Sequence, residues 1–230
     1  MYKNRTYLAI VPARGGSKRI KNKNIIKLKG KPLVEYTIKA GLKSSYIDQL
    51  IVSSDSKKIL SIANNAGAET ILRPKNLSTD YASSTDVVNH VLASVSNYDY
   101  VVLLQPTSPL RDSKNINEAI ELVEEKKADA IISVCETDHS LMWENTLPNN
   151  KDMKNFLLDE SENRSQDLKK NFRINGAIYI CKVDRFIKEN SFFIKDHLYA
   201  YEMTREKSVD IDNPIDFQWA EFLMLNSKCL

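Results

Sequence analysis

Between Leu8 and Asn24 the chain reads LAIVPARGGSKRIKNKN. An apolar run ends at Pro12, and Gly15 and Gly16 follow among five basic side chains, Arg14, Lys18, Arg19, Lys21 and Lys23. Glycine lets the backbone come close to a ligand and turn its N–H groups toward an anion. Lysine and arginine neutralise charge that backbone dipoles alone cannot balance. This chemistry suits a nucleoside triphosphate better than a neutral ligand. The spacing is neither that of the G-x-x-x-x-G-K-[ST] loop nor that of G-x-G-x-x-G, so a basic, solvated turn after a buried strand is the ordinary alternative.

The second candidate is Asp210-Ile211-Asp212. In extended backbone, residues i and i+2 face the same side, so the two carboxylates converge while Ile211 points to the core. Paired carboxylates repel unless a cation joins them. Mg²⁺ suits such a pair, because it takes hard oxygen ligands from one or two carboxylates and from substrate phosphates. The ordinary alternative is an acidic turn in which Asp212 caps a helix opened by Pro214; beside the cationic turn, metal binding is the favoured reading.

These segments need a scaffold. Apolar bursts alternate with helical patterns along the chain: strands at Tyr7–Val11, Gln49–Ser53, Glu69–Leu72, Tyr100–Gln105 and Ala130–Cys135, and helices over Pro32–Lys43, Lys57–Ala66, Asp86–Ser96 and Asn115–Lys126. The alternation predicts a Rossmann-like α/β fold, a mainly parallel sheet with crossover helices. Ligands of such sheets gather beyond the carboxyl ends of the strands, which places Arg14–Asn24, Ser53–Asp55, Arg73–Ser84 and Gln105–Arg111 on one rim. Residues 140–171 are polar and lack a sustained period, apart from Phe156, Leu157 and Leu158. Regular structure returns as a strand over Phe172–Cys181, interrupted at Asn175-Gly176, a helix over Val183–Glu189, a short strand at Tyr199–Met203, and a last helix from Pro214 with Phe217, Ala220, Phe222, Leu223 and Leu225 as apolar contacts.

Composition narrows the class. The chain has 230 residues, 42% of them hydrophobic and 27% charged, with a net charge of +3. That is one domain's length, ordinary for a globular protein. The small net charge argues against a general nucleic-acid binder. No apolar run approaches a membrane span and no secretory segment precedes the first strand. Cys135, Cys181 and Cys229 have no metal-like spacing, so a reducing cytoplasm is the expected compartment.

Five blocks, PARGGSKRIKNKN, LRPKNLSTDYASS, LLQPTSPLR, FRINGAIYI and SVDIDNPIDF, occur in that order. Together they resemble the CMP-sialic acid synthetases, the acylneuraminate cytidylyltransferases, from about Leu8 to Glu221. The resemblance implies that the C2 hydroxyl of a nine-carbon keto-deoxy sugar acid attacks the α-phosphate of CTP, with Mg²⁺ or Mn²⁺ as cofactor. It implies catalytic roles for Arg14, Lys23 and Asp212. Nucleotide contacts would come from Arg14, Gly15, Gly16, Ser17, Lys18, Lys23, Asn24, Arg73 and Ser84. Sugar contacts would come from Gln105, Arg164, Arg173, Asn175, Tyr179, Phe192 and Phe193, and metal ligation from Asp210 and Asp212. It further implies a homodimer in which the 140–171 excursion serves as a dimerisation arm on a single cytidylyltransferase domain spanning 1–230. The signature loop carries Lys21 where many relatives have proline, and Trp143 and Glu144 stand where some relatives place a basic residue for the sugar. Arg111 reads, by type, as the partner of a nearby acid. Two alternatives stay open: a cytidylyltransferase for pseudaminic acid or the eight-carbon acid Kdo, and a nucleotide-sugar binding module without turnover.

Overall fold

The structure is a computed structural model and describes residues 1–156 and 169–226. Its centre is a seven-stranded sheet in the order β5-β4-β1-β6-β8-β7-β9. The strands are β1 (Tyr7–Pro12), β4 (Gln49–Ser54), β5 (Glu69–Leu72), β6 (Tyr100–Leu103), β7 (Ala130–Glu136), β8 (Phe172–Lys182) and β9 (Leu198–Glu202). A small antiparallel pair, β2 (Lys27–Leu28) and β3 (Lys31–Pro32), lies outside it. β4, β1, β5 and β6 pair in parallel, whereas β8 runs antiparallel to both β6 and β7. The mainly parallel α/β sheet read from the sequence is therefore present. The reversal of β8 has one consequence for the site: it brings the start of that strand, with Arg173 and Gly176, to the rim where the parallel strands end.

Alternation along the strands builds two packed faces. Ala9, Val11, Val52, Val102 and Ile178 pack with Val34 and Ile38 of α1 (Leu33–Leu42), Ile59 of α2 (Lys57–Asn65), and Ile116 and Ile120 of α4 (Ser113–Lys126). Leu8, Ile10, Ile51, Val101 and Leu103 pack on the other face with Val88 and Val91 of α3 (Ser84–Leu92) and Phe186 of α5 (Val183–Glu189). A third cluster joins Ile20 and Leu28 to Ile211 and to Ala220 and Leu223 of α6 (Pro214–Asn226). Through Ile20 and Ile211, the basic turn and the acidic doublet share one apolar anchor.

The helices begin where side chains can take orphan amide donors. Ser56 caps α2, and Ser83 with Asp86 and Asp112 with Asn115 form capping boxes on α3 and α4. Three expectations need correction. Helix α3 ends at Leu92 rather than Ser96: Ala93 is its C-cap, the Ser94 amide turns back to the Val91 carbonyl, and Asn97 then takes a left-handed φ of 71°. The Phe172–Cys181 strand is not broken at Asn175-Gly176; β8 continues through a bulge, with a register shift opposite Ile132 and Val134 that Gly176 allows at φ +77°. Phe222 and Leu225 do not supply core contacts, since α6 buries only Ala220 and Leu223. No helix of the described residues is long and apolar enough to cross a membrane.

Candidate active site

Strand order places β4 on one side of β1 and β6 on the other, so the loops after β1 and β6 flank the crevice where ligands of such sheets bind. Leaving β1, Ala13 N–H donates to the Ser53 carbonyl (3.0 Å) and Gly15 N–H to Asp55 Oδ1 (2.8 Å). A Cβ on Gly15 would stand 3.0 Å from the Ser56 Cβ, so any side chain here would have to push Ser56 aside by a few tenths of an ångström. The turn then closes on itself: Asn24 Nδ2 donates to the Arg14 carbonyl (2.8 Å), and Lys23 N–H donates to Ser17 Oγ (2.9 Å). Gly16 is open to solvent, with nothing near its missing Cβ.

The turn meets the doublet directly. Lys23 Nζ donates to the Ile211 carbonyl (2.8 Å) and to Asp212 Oδ1 (3.1 Å), and Arg19 pairs with Asp212 Oδ2 (3.0 Å). Lys23 is thus a tie between distant parts of the chain, only 15% exposed, not a free loop cation. Ile211 is fully buried, as expected. Asp212 does not cap the last helix: Asn213 Oδ1 accepts the Ile215 and Asp216 amides, while Asp216 accepts the Asp212 and Asn213 amides. The cap falls to Asn213 and leaves the Asp212 oxygens for the cations.

Asp210 is set deeper. Its Oδ1 is buried without a hydrogen-bond partner among the described residues. Burial pushes its carboxyl up, Asp212 and Asp216 push the same way, and a Thr107 hydrogen bond and Lys23 oppose them. The Thr107 carbonyl also accepts the Ile211 amide (2.8 Å), so the loop after β6 holds the doublet. Gly176 makes room here: a Cβ would lie 3.1 Å from Gln105 Oε1 and 3.7 Å from Asp210 Oδ2. A buried carboxylate oxygen without a partner, beside a second carboxylate, is a donor set that fits a hard divalent cation. No group of three or more His, Cys, Asp or Glu side chains that could hold a metal occurs among the described residues, so such an ion would take its other ligands from water and phosphate.

A cavity of about 470 Å³ gathers Arg14, Ser17, Lys18, Arg19, Lys23, Asn24, Arg73, Ser84, Gln105, Thr107 and Asp212. Arg73 is 5% exposed, and its Nε and Nη2 lack partners among the described residues. Burial lowers its pKa, Arg14 adds to this, and Asp55 opposes it. A buried guanidinium in this state is costly until an acceptor arrives. A second cavity, about 640 Å³, lies along the doublet and is lined by Arg173, Arg205, Asp210, Asp212, Asp216 and Trp219 among others.

The residues expected at the sugar do not stay together. Gln105 lines the first cavity and Arg173 the second. Tyr179 packs against Phe192 (5.7 Å between rings) and Phe193 (6.2 Å); Phe192 is core and Phe193 is exposed. Burial raises the Tyr179 pKa, and the Asp210 charge adds to it. Asn175 is the exception. It is 1% exposed, its Oδ1 accepts Ser133 Oγ (2.6 Å) and Ala177 N–H (3.1 Å), and its Nδ2 donates to Ser208 Oγ (2.9 Å). These bonds tie its amide into the β8 bulge. Arg164, Leu157 and Leu158 lie outside the described residues. Among the described residues Arg111 makes no ion pair, although the charge of Asp112 acts on it: fully buried, it donates to Thr37 Oγ1 (2.7 Å) and the Gln105 carbonyl (3.4 Å). Asp55, Asp80 and Thr107 lie on the rim loops read from the sequence but were given no role there, although Asp80 sits inside LSTDYASS between Arg73 and Ser84.

Residues 8–226 match the family model described as Cytidylyltransferase. The chain belongs to the cytidylyltransferase family. It is 39% identical over 215 residues to N-acylneuraminate cytidylyltransferase of Escherichia coli O18:K1:H7, covering 93% of this chain and 51% of that protein. It is 35% identical to pseudaminic acid cytidylyltransferase of Campylobacter jejuni (94% and 95% covered) and 34% identical to CMP-N,N'-diacetyllegionaminic acid synthase of Legionella pneumophila (97% and 98%). The chain thus spans about half the length of the N-acylneuraminate relative and nearly all of the other two. The resemblance to CMP-sialic acid synthetases is borne out at the level of family. Among solved structures, CMP:2-keto-3-deoxy-manno-octonic acid synthetase complexed with CTP superposes with a TM-score of 0.74 at 15% identity, covering 96% of this chain and 99% of that one, which establishes the shared nucleotidyltransferase fold.

Proposed function

We propose that this cytidylyltransferase joins CTP to a nonulosonic acid, a nine-carbon keto-deoxy sugar acid of the sialic, legionaminic or pseudaminic type, and releases pyrophosphate. One observation carries the reading: the glycine-containing cationic turn closes onto Asp212 around a single cavity. Arg14, Lys18 and Lys23 would meet the triphosphate, and Arg73 and Ser84 the nucleoside end. The C2 hydroxyl of the sugar acid attacks the α-phosphorus, loses its proton, and the bond to the pyrophosphate oxygen breaks. Lys23 and Arg19 stabilise charge moving onto the leaving group. Asp210 and Asp212 would hold Mg²⁺, or Mn²⁺ in its place, which supplies charge neutralisation at the phosphates.

Gln105 lines the cavity that holds Asp212, the Tyr179–Phe192–Phe193 group would receive apolar substituents of the sugar, and Arg173 would offer a guanidinium for its carboxylate. The relatives that match along their whole length act, by their names, on pseudaminic and diacetyllegionaminic acids, so both belong in any substrate panel. A homodimer agrees with the exposure of Leu141, Leu147 and Met153 in the excursion, apolar surface that a partner would cover. A reducing cytoplasm agrees with two buried free thiols, Cys135 and Cys181. The test is to supply CTP, Mg²⁺ and a panel of N-acetylneuraminic, legionaminic, pseudaminic and eight-carbon keto-deoxy acids and to follow pyrophosphate. Release with at least one nine-carbon acid is expected. Tight CTP binding without turnover on any sugar would leave a binding module instead.

A further inference from the structure

The cations assigned to the triphosphate already hold carboxylates. Arg19 and Lys23 share Asp212. Arg14 Nη1 lies 3.0 Å from Asp80 Oδ1, Lys18 Nζ lies 2.6 Å from Asp80 Oδ2, and Arg14 also donates to the Thr79 carbonyl (3.1 Å). The second carboxylate has no part in the reading above. Asp80 lines the same cavity as Arg14 and Lys18, on the segment that carries Arg73 and Ser84. Lys18 above all, and then Arg14, hold its carboxyl below the usual range, so it is an anion wherever the protein is near neutral. Its two oxygens therefore take N–H donors of the two side chains whose chemistry suits phosphate oxygens.

We propose that Asp80 is a resident counter-anion of the triphosphate site, which phosphates displace from Arg14 and Lys18 when nucleotide binds. It keeps two like charges together in the free protein and makes every anionic ligand compete with it. A triphosphate, with several charged oxygens, competes well, and a monophosphate poorly. Asp80 thereby weakens binding most for the ligands that must displace it, the polyphosphates, and least for those that leave its ion pairs intact. Displacement also frees the Thr79–Asp80 backbone from Arg14, so the segment bearing Arg73 and Ser84 adjusts as the nucleotide seats.

The inference rests on the triphosphate reading, and the experiment separates the two. Calorimetric titrations of the full chain and its Asp80→Asn variant use CTP, CMP, cytidine and inorganic tripolyphosphate at one fixed ionic strength. Asp80→Asn is expected to bind CTP and tripolyphosphate about three- to tenfold tighter, as expected on releasing two partly exposed ion pairs. CMP gains less and cytidine nothing. Asp80→Ala gives the same order, and circular dichroism verifies that both variants fold. If the parent binds CTP and the variants bind it no tighter, or weaker, Asp80 organises the site rather than competing for it, and the inference falls alone. An equal gain for cytidine overturns it too. If neither protein binds CTP or tripolyphosphate, the nucleotide reading fails and takes the inference with it.

Discussion

Gly176 offers the sharpest test of how the sugar side of the site is built. Its φ of +77° lies in the left-handed region, and a Cβ there would stand 3.1 Å from Gln105 Oε1 and 3.7 Å from Asp210 Oδ2. Alanine in that conformation costs about 1–2 kcal/mol, offset by about 0.4–1 kcal/mol from the stiffer unfolded chain. The net loss is about 1 kcal/mol, or about 2–4 °C in melting temperature for a chain this long. Gly67 supplies the control. It has φ +94°, and its Cβ would make only an ordinary 3.6 Å contact with Leu42 Cδ1, so Gly67→Ala carries the same strain far from the site. The variants part company in steady-state kinetics. In Gly176→Ala the Gln105 amide must give way by a few tenths of an ångström; with Gln105 contacting the sugar as proposed, the loss of one neutral hydrogen bond is expected to lower kcat/KM for the sugar acid about 3- to 10-fold. KM for CTP stays close to the parent's. Equal melting losses with an unchanged kcat/KM for the sugar in Gly176→Ala, or the same kinetic loss in Gly67→Ala, would refute the convergence of Gln105 and Asp210 over this glycine.

Other outcomes follow from the same geometry. Lys23→Ala removes the donor to the Ile211 carbonyl and to Asp212; kcat is expected to fall about 10²–10³-fold, with stability lower by about 1–2 kcal/mol in urea unfolding, and a stability loss without a kinetic one would count against the role given to it. Asp112 caps α4 and accepts from Lys207 (2.9 Å), so Asp112→Ala should cost about 1 kcal/mol at neutral pH. Burial raises the Asp112 pKa, but Lys207 and the Asn115 and Lys114 amides outweigh it and hold the carboxyl below its ordinary value. Its stabilisation is therefore present above the ordinary carboxylate pKa of about 3.9 and lost as pH falls through the lower folded value. Thermal melts of parent and variant should converge on acidification, and a gap that widens there would contradict the assignment.

The sheet was readable because burial leaves a periodic trace: Tyr7–Val11, Gln49–Ser53 and Ala130–Cys135 are apolar bursts, and each forms a strand within a residue or two. The rim loops followed from topology, and they do gather Arg14, Lys23, Arg73, Ser84 and Gln105. What stayed hidden depends on contacts between distant residues. That Lys23 is tied to Ile211 and Asp212 is set by tertiary packing across the third apolar cluster, and residue type alone reads it as a loop cation. Asn175 lies in a block shared with the family, but the turn of β8 at Gly176 folds its amide inward onto Ser133 and Ser208. Asn213 rather than Asp212 caps α6 because both N-terminal roles were open to either side chain and only the backbone direction decides between them. Asp80 escaped notice because a lone aspartate in a polar loop carries no periodic or spacing signal, and its meaning comes from Arg14 and Lys18, more than sixty residues earlier.

The central claim is that the cationic turn and the acidic doublet grip one metal-bound triphosphate. The measurement that addresses it most directly is the Mg²⁺ dependence of CTP affinity in the parent and in Asp212→Asn. The parent should bind CTP more tightly as Mg²⁺ is added. Asp212→Asn should lose most of that gain and need more Mg²⁺ for turnover, while binding CTP without metal at least as well. An identical Mg²⁺ response in the two proteins would contradict the claim.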